Sequence, residues 1–399
     1  MAKELSKSIT SIQPSATLAI DAKAKALKAA GSDVVGFGAG EPDFNTPQHV
    51  IDAAVKAMQE GKTRYTPASG TLELRNAICR KLKRDNGLTY EPSQIVVSNG
   101  AKHSLFNALS AICNPGDEVI LPAPYWVSYY ELIKMTGATP VLVSTTKESD
   151  FLATVEQLQA ATTAKTKALI LNSPCNPTGA VYSAQQLKAI ADYAVKNEVY
   201  VISDEIYECL VYNGTTHTSI ASFGDEIKDL TIVVNGLSKA YAMTGWRIGY
   251  TASNAAIAKA MGNLQSHATS NPNSIAQAAS IAALDGDQKP MLDMVKEFAA
   301  RKEYMMQRVS SIKGISAPDP KGAFYVFADI SALFGKKCDG KEITCAMDFA
   351  DLLLEKQNTA VVPGEAFGDN RYIRLAYATD LESIRKGMDR IEAFINALV

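Results

Sequence analysis

The chain has 399 residues, of which 47% are hydrophobic, and a formal net charge of −2 from 40 basic and 42 acidic residues. This length supports one large core and a second, smaller one, so we expect two domains. Because the charges nearly balance, neither nucleic acid nor an anionic membrane is expected as a partner. No stretch of the sequence approaches the roughly 18–20 consecutive apolar residues of a transmembrane helix.

The first ten residues alternate charged and hydroxyl side chains and lack the apolar run of a signal peptide. The six cysteines are scattered and include no CxxC pair, which is typical of reduced thiols in a cytoplasmic protein. The four histidines show no metal-ligand spacing. The sequence therefore predicts a cytoplasmic chain without a disulfide framework or a metal site.

Short apolar runs alternate with longer helical patterns from about residue 93 to residue 254. Continuous Val, Ile and Leu runs indicate strands buried on both faces, which is the pattern of a mostly parallel sheet covered by helices. We therefore predict an α/β fold whose ligand site lies beyond the carboxyl ends of the strands. The predicted strands are 95–98, 118–121, 140–143, 168–171, 199–202, 231–234 and 247–251, and the predicted helices are 101–112 and 184–196.

The last part of the chain has a different pattern, which predicts a smaller α+β domain. We interpret residues 1–47 as an N-terminal arm and part of this small domain. Residues 48–290 would form the large domain, and residues 291–399 the rest of the small one. In this last segment the predicted helices are 290–312, 348–357 and 381–398, and the predicted strands are 323–330 and 372–376.

Polar, small or charged residues follow four of the predicted strands. These groups occupy 98–102, 172–179, 203–207 and 235–239, and Arg247 stands a few residues later. Because the carboxyl ends of parallel strands share one edge of a sheet, we expect a rim with a lysine, an aspartate, an asparagine, a tyrosine and an arginine. Such a rim suits a phosphorylated aromatic cofactor that is bound through an amine.

Four segments resemble signatures of the class I aminotransferases of fold type I, which use pyridoxal 5′-phosphate. They are GEPDF at 40–44, NPTG at 176–179, DEIY at 204–207 and SKAYAMTGWRIGY at 238–250. Four motifs in the family's order form a specific signal, whereas any one alone would be weak. The resemblance covers nearly the whole chain and is strongest to bacterial aspartate aminotransferases, a group that includes bifunctional aspartate/prephenate enzymes.

The resemblance implies a large domain with a mostly parallel seven-stranded sheet between helices, and a smaller α+β domain. It implies transfer of the amino group between L-aspartate and 2-oxoglutarate, giving oxaloacetate and L-glutamate, with prephenate as a further acceptor. An aromatic or neutral amino acid aminotransferase, or a C–S lyase, on the same scaffold stays open, because only the side-chain pocket separates these activities. An aminotransferase-like effector domain of a transcription regulator is disfavoured, since no basic helix-turn-helix extension is visible.

The resemblance also implies a role for each residue of the rim. Lys239 would carry the cofactor and move the proton of the substrate α-carbon. Asp204 would pair with the ring nitrogen, and Tyr207 and Asn176 would reach the ring's 3-oxygen. Trp126 would stack on the ring and, with Asn176, border the substrate. These residue types also serve as caps, turn formers and core side chains, so each assignment has a structural alternative.

The phosphate of the cofactor would be held by Arg247, whose planar fork matches phosphate oxygens, and by the hydroxyl of Ser238. A helix that starts near Gly100 would add backbone N–H groups at its positive end. Gly236 stands where many relatives carry a hydroxyl residue, so one phosphate contact is missing. The backbone groups are those of Gly100, Ala101 and Lys102.

Tyr65 matches a tyrosine that reaches the phosphate from the partner subunit, which implies a homodimer with shared active sites. Arg374 would clamp the substrate α-carboxylate, assisted by the backbone of Gly40. The side chain of Lys102 would bind the second carboxylate of a dicarboxylic substrate. Gln13 stands where close relatives often carry a basic residue and would add a hydrogen bond, with Ser15 and Thr17 nearby. The expected partners are small amino acids and 2-oxo acids.

Overall fold

The computed structural model describes residues 3–14 and 16–399. Strands are numbered β1 to β14 in chain order. They are β1 Val35–Gly36, β2 Ile95–Ser98, β3 Glu118–Ala123, β4 Thr139–Ser144, β5 Thr166–Asn172, β6 Tyr200–Asp204, β7 Thr231–Gly236, β8 Gly249–Ala252, β9 Tyr325–Asp329, β10 Lys337–Cys338, β11 Lys341–Glu342, β12 Thr359–Ala360, β13 Val362–Pro363 and β14 Tyr372–Ala376.

Helices are numbered α1 to α14 in the same way, and a 3₁₀ helix covers Thr244–Trp246. Across the described ranges, no helix is both long and apolar enough to span a bilayer. The helices are α1 Lys7–Thr10, α2 Ala16–Ala29, α3 Gln48–Gln59, α4 Leu72–Asn86, α5 Ala101–Ile112, α6 Ser128–Met135, α7 Val155–Ala161, α8 Ala184–Lys196, α9 Asp225–Leu230, α10 Ala255–Ala268, α11 Ser274–Asp285, α12 Lys289–Ser311, α13 Ala346–Gln357 and α14 Leu381–Asn396.

The largest sheet has seven strands in the order β2-β8-β7-β6-β5-β3-β4. Adjacent strands of this sheet are parallel, except that β8 is antiparallel to both β2 and β7. Every residue of β2, β7 and β8 is buried, as expected for strands covered on both faces. The predicted α/β class with a mostly parallel seven-stranded sheet is therefore confirmed.

A second sheet has three antiparallel strands in the order β13-β14-β9. Its core includes apolar residues of α12, α13 and α14, among them Phe298, Phe349 and Phe394. The early segment of the chain joins this core, because β1 pairs with β12 and Phe37 packs into the same cluster. Residues near position 36 and residues near position 376 are thus neighbours, and this places the loop that follows β1 beside β14.

Helix ends follow ordinary sequence signals. The Ser183 hydroxyl accepts the Gln186 N–H at 3.3 Å, and the Gln186 side chain accepts the Ser183 N–H at 2.9 Å, which forms a capping box at α8. Asn254 and Asp380 cap α10 and α14 in the same sense, each accepting a backbone N–H three residues on. These local signals fix where the helices begin, whereas the sheets fix how the helices pack.

Gly387 lies inside α14 against the early segment of the chain. A Cβ atom at this position would lie 2.4 Å from Cε2 of Phe37 and 3.0 Å from Cγ1 of Val35. Glycine inside a helix ordinarily costs about 0.5–1 kcal/mol relative to alanine. Here we expect alanine to be the less stable residue, because Phe37 is fully buried and cannot move away. Gly387→Ala should lower the free energy of unfolding by about 1–3 kcal/mol in urea titrations.

Gly262 in α10 provides the matched control for that substitution. A Cβ there would approach only the Ser69 hydroxyl, at 2.7 Å, and this hydroxyl can rotate. Gly262→Ala should therefore be neutral or stabilising. A Gly387→Ala protein at least as stable as the unchanged chain would contradict the close packing of Phe37 on α14.

Candidate active site

A cavity of about 460 Å³ opens at the carboxyl ends of the strands of the seven-stranded sheet, and β9 and β14 contribute to its wall. Eleven of the residues singled out in the sequence line it. Gly100 directly precedes Ala101, one of these lining residues, whereas Tyr65 and Gln13 do not line the cavity. The eleven are Gly40, Ala101, Lys102, Trp126, Asn176, Asp204, Tyr207, Ser238, Lys239, Arg247 and Arg374.

Lys239 follows β7 and points into this cavity. Its Nζ donates a hydrogen bond to the carbonyl of Gly40 and lies 5.9 Å from the ring centroid of Tyr207. Burial lowers the pKa of this amine to about 8, and the nearby Glu41 carboxylate opposes that effect. An amine with such a pKa is partly neutral near physiological pH, and its neutral form can act as a nucleophile and as a base.

Asp204 ends β6, also lines the cavity and is only 3% exposed. Its carboxylate accepts the Tyr129 hydroxyl at 2.6 Å and the Ile206 N–H at 3.2 Å. Burial raises the pKa of this carboxyl to about 6, although both hydrogen bonds favour the ionised form. A carboxylate held at this depth is suited to pair with a cationic ring nitrogen.

A buried polar network lies behind Asp204. Glu205 accepts hydrogen bonds from Ser203 at 2.8 Å and Ser219 at 2.7 Å, and its other oxygen lies 3.2 Å from His217. Glu208 forms an ion pair with Lys81. Glu205, Glu208 and His217 have metal-compatible spacing, which sequence spacing did not predict. Asn86 and Asn235 also donate to Glu208, so the oxygens of both carboxylates already have partners and the network braces the turn that follows Asp204.

Arg374 in β14 is 2% exposed and bridges three parts of the chain. Its Nη1 donates to Oδ1 of Asn176 at 3.0 Å, and its Nη2 donates to the carbonyl of Gly38 at 2.8 Å. The guanidinium carbon lies 4.4 Å from the ring centroid of Tyr325. In the described part of the chain no carboxylate pairs with this guanidinium, and its Nε has no hydrogen-bond partner.

Burial lowers the pKa of Arg374, since removal from water disfavours its charge. A buried cation is costly unless an anion compensates it. The missing partner is therefore expected to be an anionic ligand, and a carboxylate is the natural match for the guanidinium fork. Tyr207, whose hydroxyl lies 2.9 Å from that of Tyr325, borders the same space.

Arg247 lies at the amino end of α5 in a left-handed backbone conformation, with φ of 58°. Its guanidinium donates to the carbonyls of Thr244, at 2.9 Å, and Asn99, at 3.3 Å. Gly100 has φ of 86°, and a Cβ there would lie 2.2 Å from Nη2 of Arg247. Glycine is therefore required at this position, and the first turn of α5 and the guanidinium form one anion-binding corner with Ser238 beside it.

Trp126 and Lys102 form another side of the cavity. Nζ of Lys102 lies 4.9 Å from the centroid of the Trp126 ring, a cation–π geometry. Burial lowers the pKa of this lysine, and the positive charge of Arg247 lowers it further. Trp126 packs edge to face on Tyr129, the residue that donates to Asp204. This side therefore supplies a flat apolar surface and a second cation.

Two of the residues singled out in the sequence lie outside the cavity of this chain. Tyr65 is 89% exposed, and Gln13 is also exposed. Ser15 lies outside the described residues, and the side chain of Thr17 is likewise not described. The roles implied for Tyr65 and Gln13 therefore stay predictions.

The structure adds cavity residues that sequence reasoning missed. Glu41 accepts the Thr244 hydroxyl at 2.7 Å, so the loop after β1 is tied to the turn that carries Arg247. Glu41 belongs to the GEPDF segment and could have been found from that motif. Lys25 of α2 and Tyr325 of β9 also line the cavity. Tyr325 has the sequence surroundings of an ordinary core strand, so no local signal marks it.

Comparison with known proteins agrees with this geometry. Residues 32–391 match the sequence model described as aminotransferase class I and II, and the chain belongs to that family. The resemblance noted from the motifs is thereby confirmed, and so is the general activity of an aminotransferase.

Individual relatives and solved structures show which members of the family the chain is similar to. The chain is 47% identical over 392 residues to the aspartate aminotransferase of Bacillus subtilis, covering 98% of this chain and 99% of that one. It is 46% identical over 396 residues to the aspartate/prephenate aminotransferase of Cereibacter sphaeroides, covering 99% of each. The crystal structure of the aspartate aminotransferase from Rhizobium meliloti superposes with a TM-score of 0.96 at 42% identity, covering 100% of both chains.

The raised pKa of Asp204 predicts how stability depends on pH. The folded chain binds this proton more tightly than the unfolded chain, whose carboxyl has a pKa near 3.8. Stability from this group is therefore lost as pH rises from about 4 to about 6, and above that range the buried charge is a cost. Asp204→Asn should raise the free energy of unfolding of the cofactor-free chain at pH 8 by about 1–3 kcal/mol.

Urea unfolding of the cofactor-free protein at pH 8 and below pH 4 tests this expectation. The difference between Asp204→Asn and the unchanged chain should nearly vanish at the lower pH, where the Asp204 carboxyl is protonated in both the folded and the unfolded chain. Tyr129→Phe is the control, since it removes a hydrogen bond but no charge and should destabilise at pH 8. A loss of stability in Asp204→Asn at pH 8 would show that the hydrogen bonds of the carboxylate outweigh its desolvation.

Proposed function

We propose that this chain is an aspartate aminotransferase that transfers the amino group between L-aspartate and 2-oxoglutarate, giving oxaloacetate and L-glutamate. The observation that carries the proposal is the buried Arg374 guanidinium, which has no acidic partner among the described residues and shares one cavity with Lys239 and a second cation, Lys102. One guanidinium and one ammonium suit the two carboxylates of a dicarboxylic amino acid. The names of the relatives support the same substrate class.

We propose pyridoxal 5′-phosphate as the cofactor, because the residues of the cavity fit its three binding groups. Arg247 and the first turn of α5 form an anion-binding corner suited to the phosphate. The buried Asp204 carboxylate suits the ring nitrogen, and Lys239 offers an amine for the aldehyde. When bound, the cofactor supplies an electron-accepting ring that stabilises negative charge at the substrate α-carbon.

The side chains of the cavity would divide the remaining work. Arg374 orients the substrate through its α-carboxylate, which fixes the α-carbon relative to Lys239. The neutral form of the Lys239 amine would accept the proton of the substrate α-carbon and pass it to the C4′ carbon of the cofactor. Asp204 would keep a proton on the ring nitrogen through its negative charge. Tyr207 and Asn176 would donate hydrogen bonds to the ring's 3-oxygen, and Trp126 would stack on the ring.

Prephenate is proposed as a further acceptor. It carries two carboxylates, which the Arg374 and Lys102 pair could receive, and the Cereibacter relative is named for this activity. Gln13 would contribute a hydrogen bond from the N-terminal segment when substrate is present. Because Gln13 is exposed in this chain, that contribution would require the segment to approach the cavity.

We further propose a homodimer with shared sites, in which Tyr65 of each protomer reaches the phosphate corner of its partner. The high exposure of this aromatic side chain supports the assignment. The proposed domain segments are 1–47 with 291–399, and 48–290. The pairing of β1 with β12 and the position of Phe37 in the C-terminal core support this division. A cytoplasmic location stays a prediction.

An absorbance titration tests the function. The purified chain is loaded with pyridoxal phosphate and mixed separately with aspartate, glutamate, phenylalanine, alanine and cystathionine. Aspartate and glutamate should convert the cofactor spectrum from its aldehyde form to its amine form, and the others should do so weakly. Release of a keto acid and ammonia from cystathionine would replace the proposal with a C–S lyase. Failure to bind the cofactor through an amine would show that Lys239 is misassigned.

Loss of the Lys102 charge should separate dicarboxylic from neutral substrates. Lys102→Met keeps most of the stem beside Trp126 but removes the ammonium, so the apparent KM for aspartate should rise about tenfold to a hundredfold. The KM for alanine should change little, and Lys102→Arg should retain much of the preference for aspartate. Steady-state kinetics with both donors measure the ratio. An equal loss for alanine would remove Lys102 from substrate recognition.

A further inference from the structure

The loop of residues 60–71, between α3 and α4, has an exposed tip and an anchored base. The side chains from Lys62 to Tyr65 are all exposed, and Tyr65 is 89% exposed. Within the described ranges its hydroxyl makes no hydrogen bond. A large aromatic side chain in this position contributes little to the stability of its own chain, so the way the loop is held calls for an explanation.

Gln277 of α11 lies under the base of the loop and is fully buried. Its Oε1 accepts the Thr71 N–H at 2.8 Å, and its Nε2 donates to Oγ1 of Thr66 at 3.1 Å. The second hydrogen on Nε2 is directed to the carbonyl of Pro272 at 2.8 Å. One amide therefore holds the loop immediately after Tyr65 and again where α4 begins.

Gln265 of α10 is a second fully buried glutamine at the same base. Its Nε2 donates to the carbonyls of Ala68, at 2.5 Å, and Val97, at 2.7 Å, while its Oε1 accepts from Asn107 at 2.9 Å. Gln265 thus fastens the loop to β2. In addition, the Ser274 hydroxyl donates to the carbonyl of Lys62 at 2.7 Å.

Gly70 completes the anchoring. Its φ is 94°, and a Cβ atom would lie 2.7 Å from Cγ2 of Val97, so the backbone lies directly against β2. Both sides of the tip are therefore fixed, at Lys62 before Tyr65 and at Thr66, Ala68 and Gly70 after it. A fixed backbone presents the Tyr65 side chain at one place on the surface without the entropic cost of ordering the loop on binding.

Buried amides are costly unless all their hydrogen bonds are satisfied, and an apolar residue of similar size would fill the same space. Both glutamines instead direct hydrogen bonds to the base of a loop whose tip carries Tyr65, a side chain that is 89% exposed. We propose that Gln277, supported by Gln265, is a positioning residue that holds Tyr65 for insertion into the phosphate corner of a second copy of the chain. This inference rests on the homodimer with shared sites proposed above.

Gln277 is the better residue to test, because its partners are the loop and the start of its own helix. Gln265 also bonds β2 and α5, which lead into the phosphate corner of its own chain. Gln277→Leu removes the amide and keeps much of the volume. Ser280→Ala is the matched control, since Ser280 is also buried in α11 but its hydroxyl bonds only the carbonyl of Ala276.

The first experiment is a double-mutant cycle that measures the cofactor dissociation constant, the equilibrium between the loaded dimer and the cofactor-free protein. Tyr65→Phe and Gln277→Leu should each raise the cofactor dissociation constant, by about tenfold for Tyr65→Phe. Because Gln277 acts through Tyr65, the double variant should bind the cofactor no more weakly than Tyr65→Phe alone. Ser280→Ala should leave the constant unchanged. The proposal would be overturned if the double variant raised the cofactor dissociation constant by the product of the two single effects. It would also be overturned if Gln277→Leu left that constant unchanged.

Mixed dimers show which site each residue serves. When Gln277→Leu is paired with Lys239→Ala, the competent site lies in the Gln277→Leu chain and receives Tyr65 from an unchanged loop. Its cofactor affinity should be normal. When both changes lie on one chain that is paired with an unchanged chain, the competent site receives Tyr65 from the altered loop. Its affinity should then fall to that of the Gln277→Leu dimer.

If cofactor affinity instead falls when Gln277→Leu is paired with Lys239→Ala, and stays normal when both changes lie on one chain, Gln277 acts within its own site. That result would overturn the inference. The same pairings with Tyr65→Phe test the shared sites independently. If Tyr65→Phe weakens only the site of its own chain, the shared-site proposal fails and the inference fails with it. If Tyr65→Phe acts across the dimer but Gln277→Leu does not, only the positioning role is lost.

Discussion

The arrangement of the site depends on one buried guanidinium. Arg374 stands in β14 of the small sheet, yet its hydrogen bonds run to Asn176 beyond β5 of the large sheet and to Gly38 in the loop after β1. A single charged side chain therefore connects three separate parts of the chain at the cavity. Because its neighbours supply no carboxylate in the described part of the chain, its desolvation is compensated only when an anionic ligand arrives.

Burial also shifts two other ionisable groups of the cavity toward neutrality. It lowers the pKa of Lys239 to about 8 and raises that of Asp204 to about 6. Each shift is a cost to the folded chain, since it reflects a charge that the protein solvates less well than water does. The same shifts make Lys239 a usable base and leave Asp204 ready to pair with a cationic ring. Stability is thus given up at the positions proposed for cofactor binding and proton transfer.

The sequence predicted most of this arrangement because strand ends and motifs are local features. The helices at 101–112 and 184–196 and the strand at 372–376 have the predicted bounds, and the residues after β2, β5, β6 and β7 meet at one edge. Strand direction has no local signal, so the antiparallel β8 could not be foreseen. The predicted strand from Arg247 begins only at Gly249, because the 3₁₀ helix and the left-handed Arg247 occupy the preceding residues. Tyr325 was missed because only tertiary packing brings it to the cavity.

The partners of the three principal cations show how the cavity keeps its charge. Lys239 donates to the carbonyl of Gly40, Arg247 donates to two backbone carbonyls, and Arg374 donates to a carbonyl and an amide oxygen. Neutral oxygens orient a cation without cancelling its charge, whereas a carboxylate would do both. Two of these carbonyls, those of Gly38 and Gly40, follow β1 directly. The pairing of β1 with β12 therefore places backbone acceptors beside cations that are distant in the sequence. Gly40 and Lys239, for example, are 199 residues apart. Around Arg247 and Arg374 the cavity is in this way pre-organised for an anionic ligand, whose charge would compensate these two guanidinium groups.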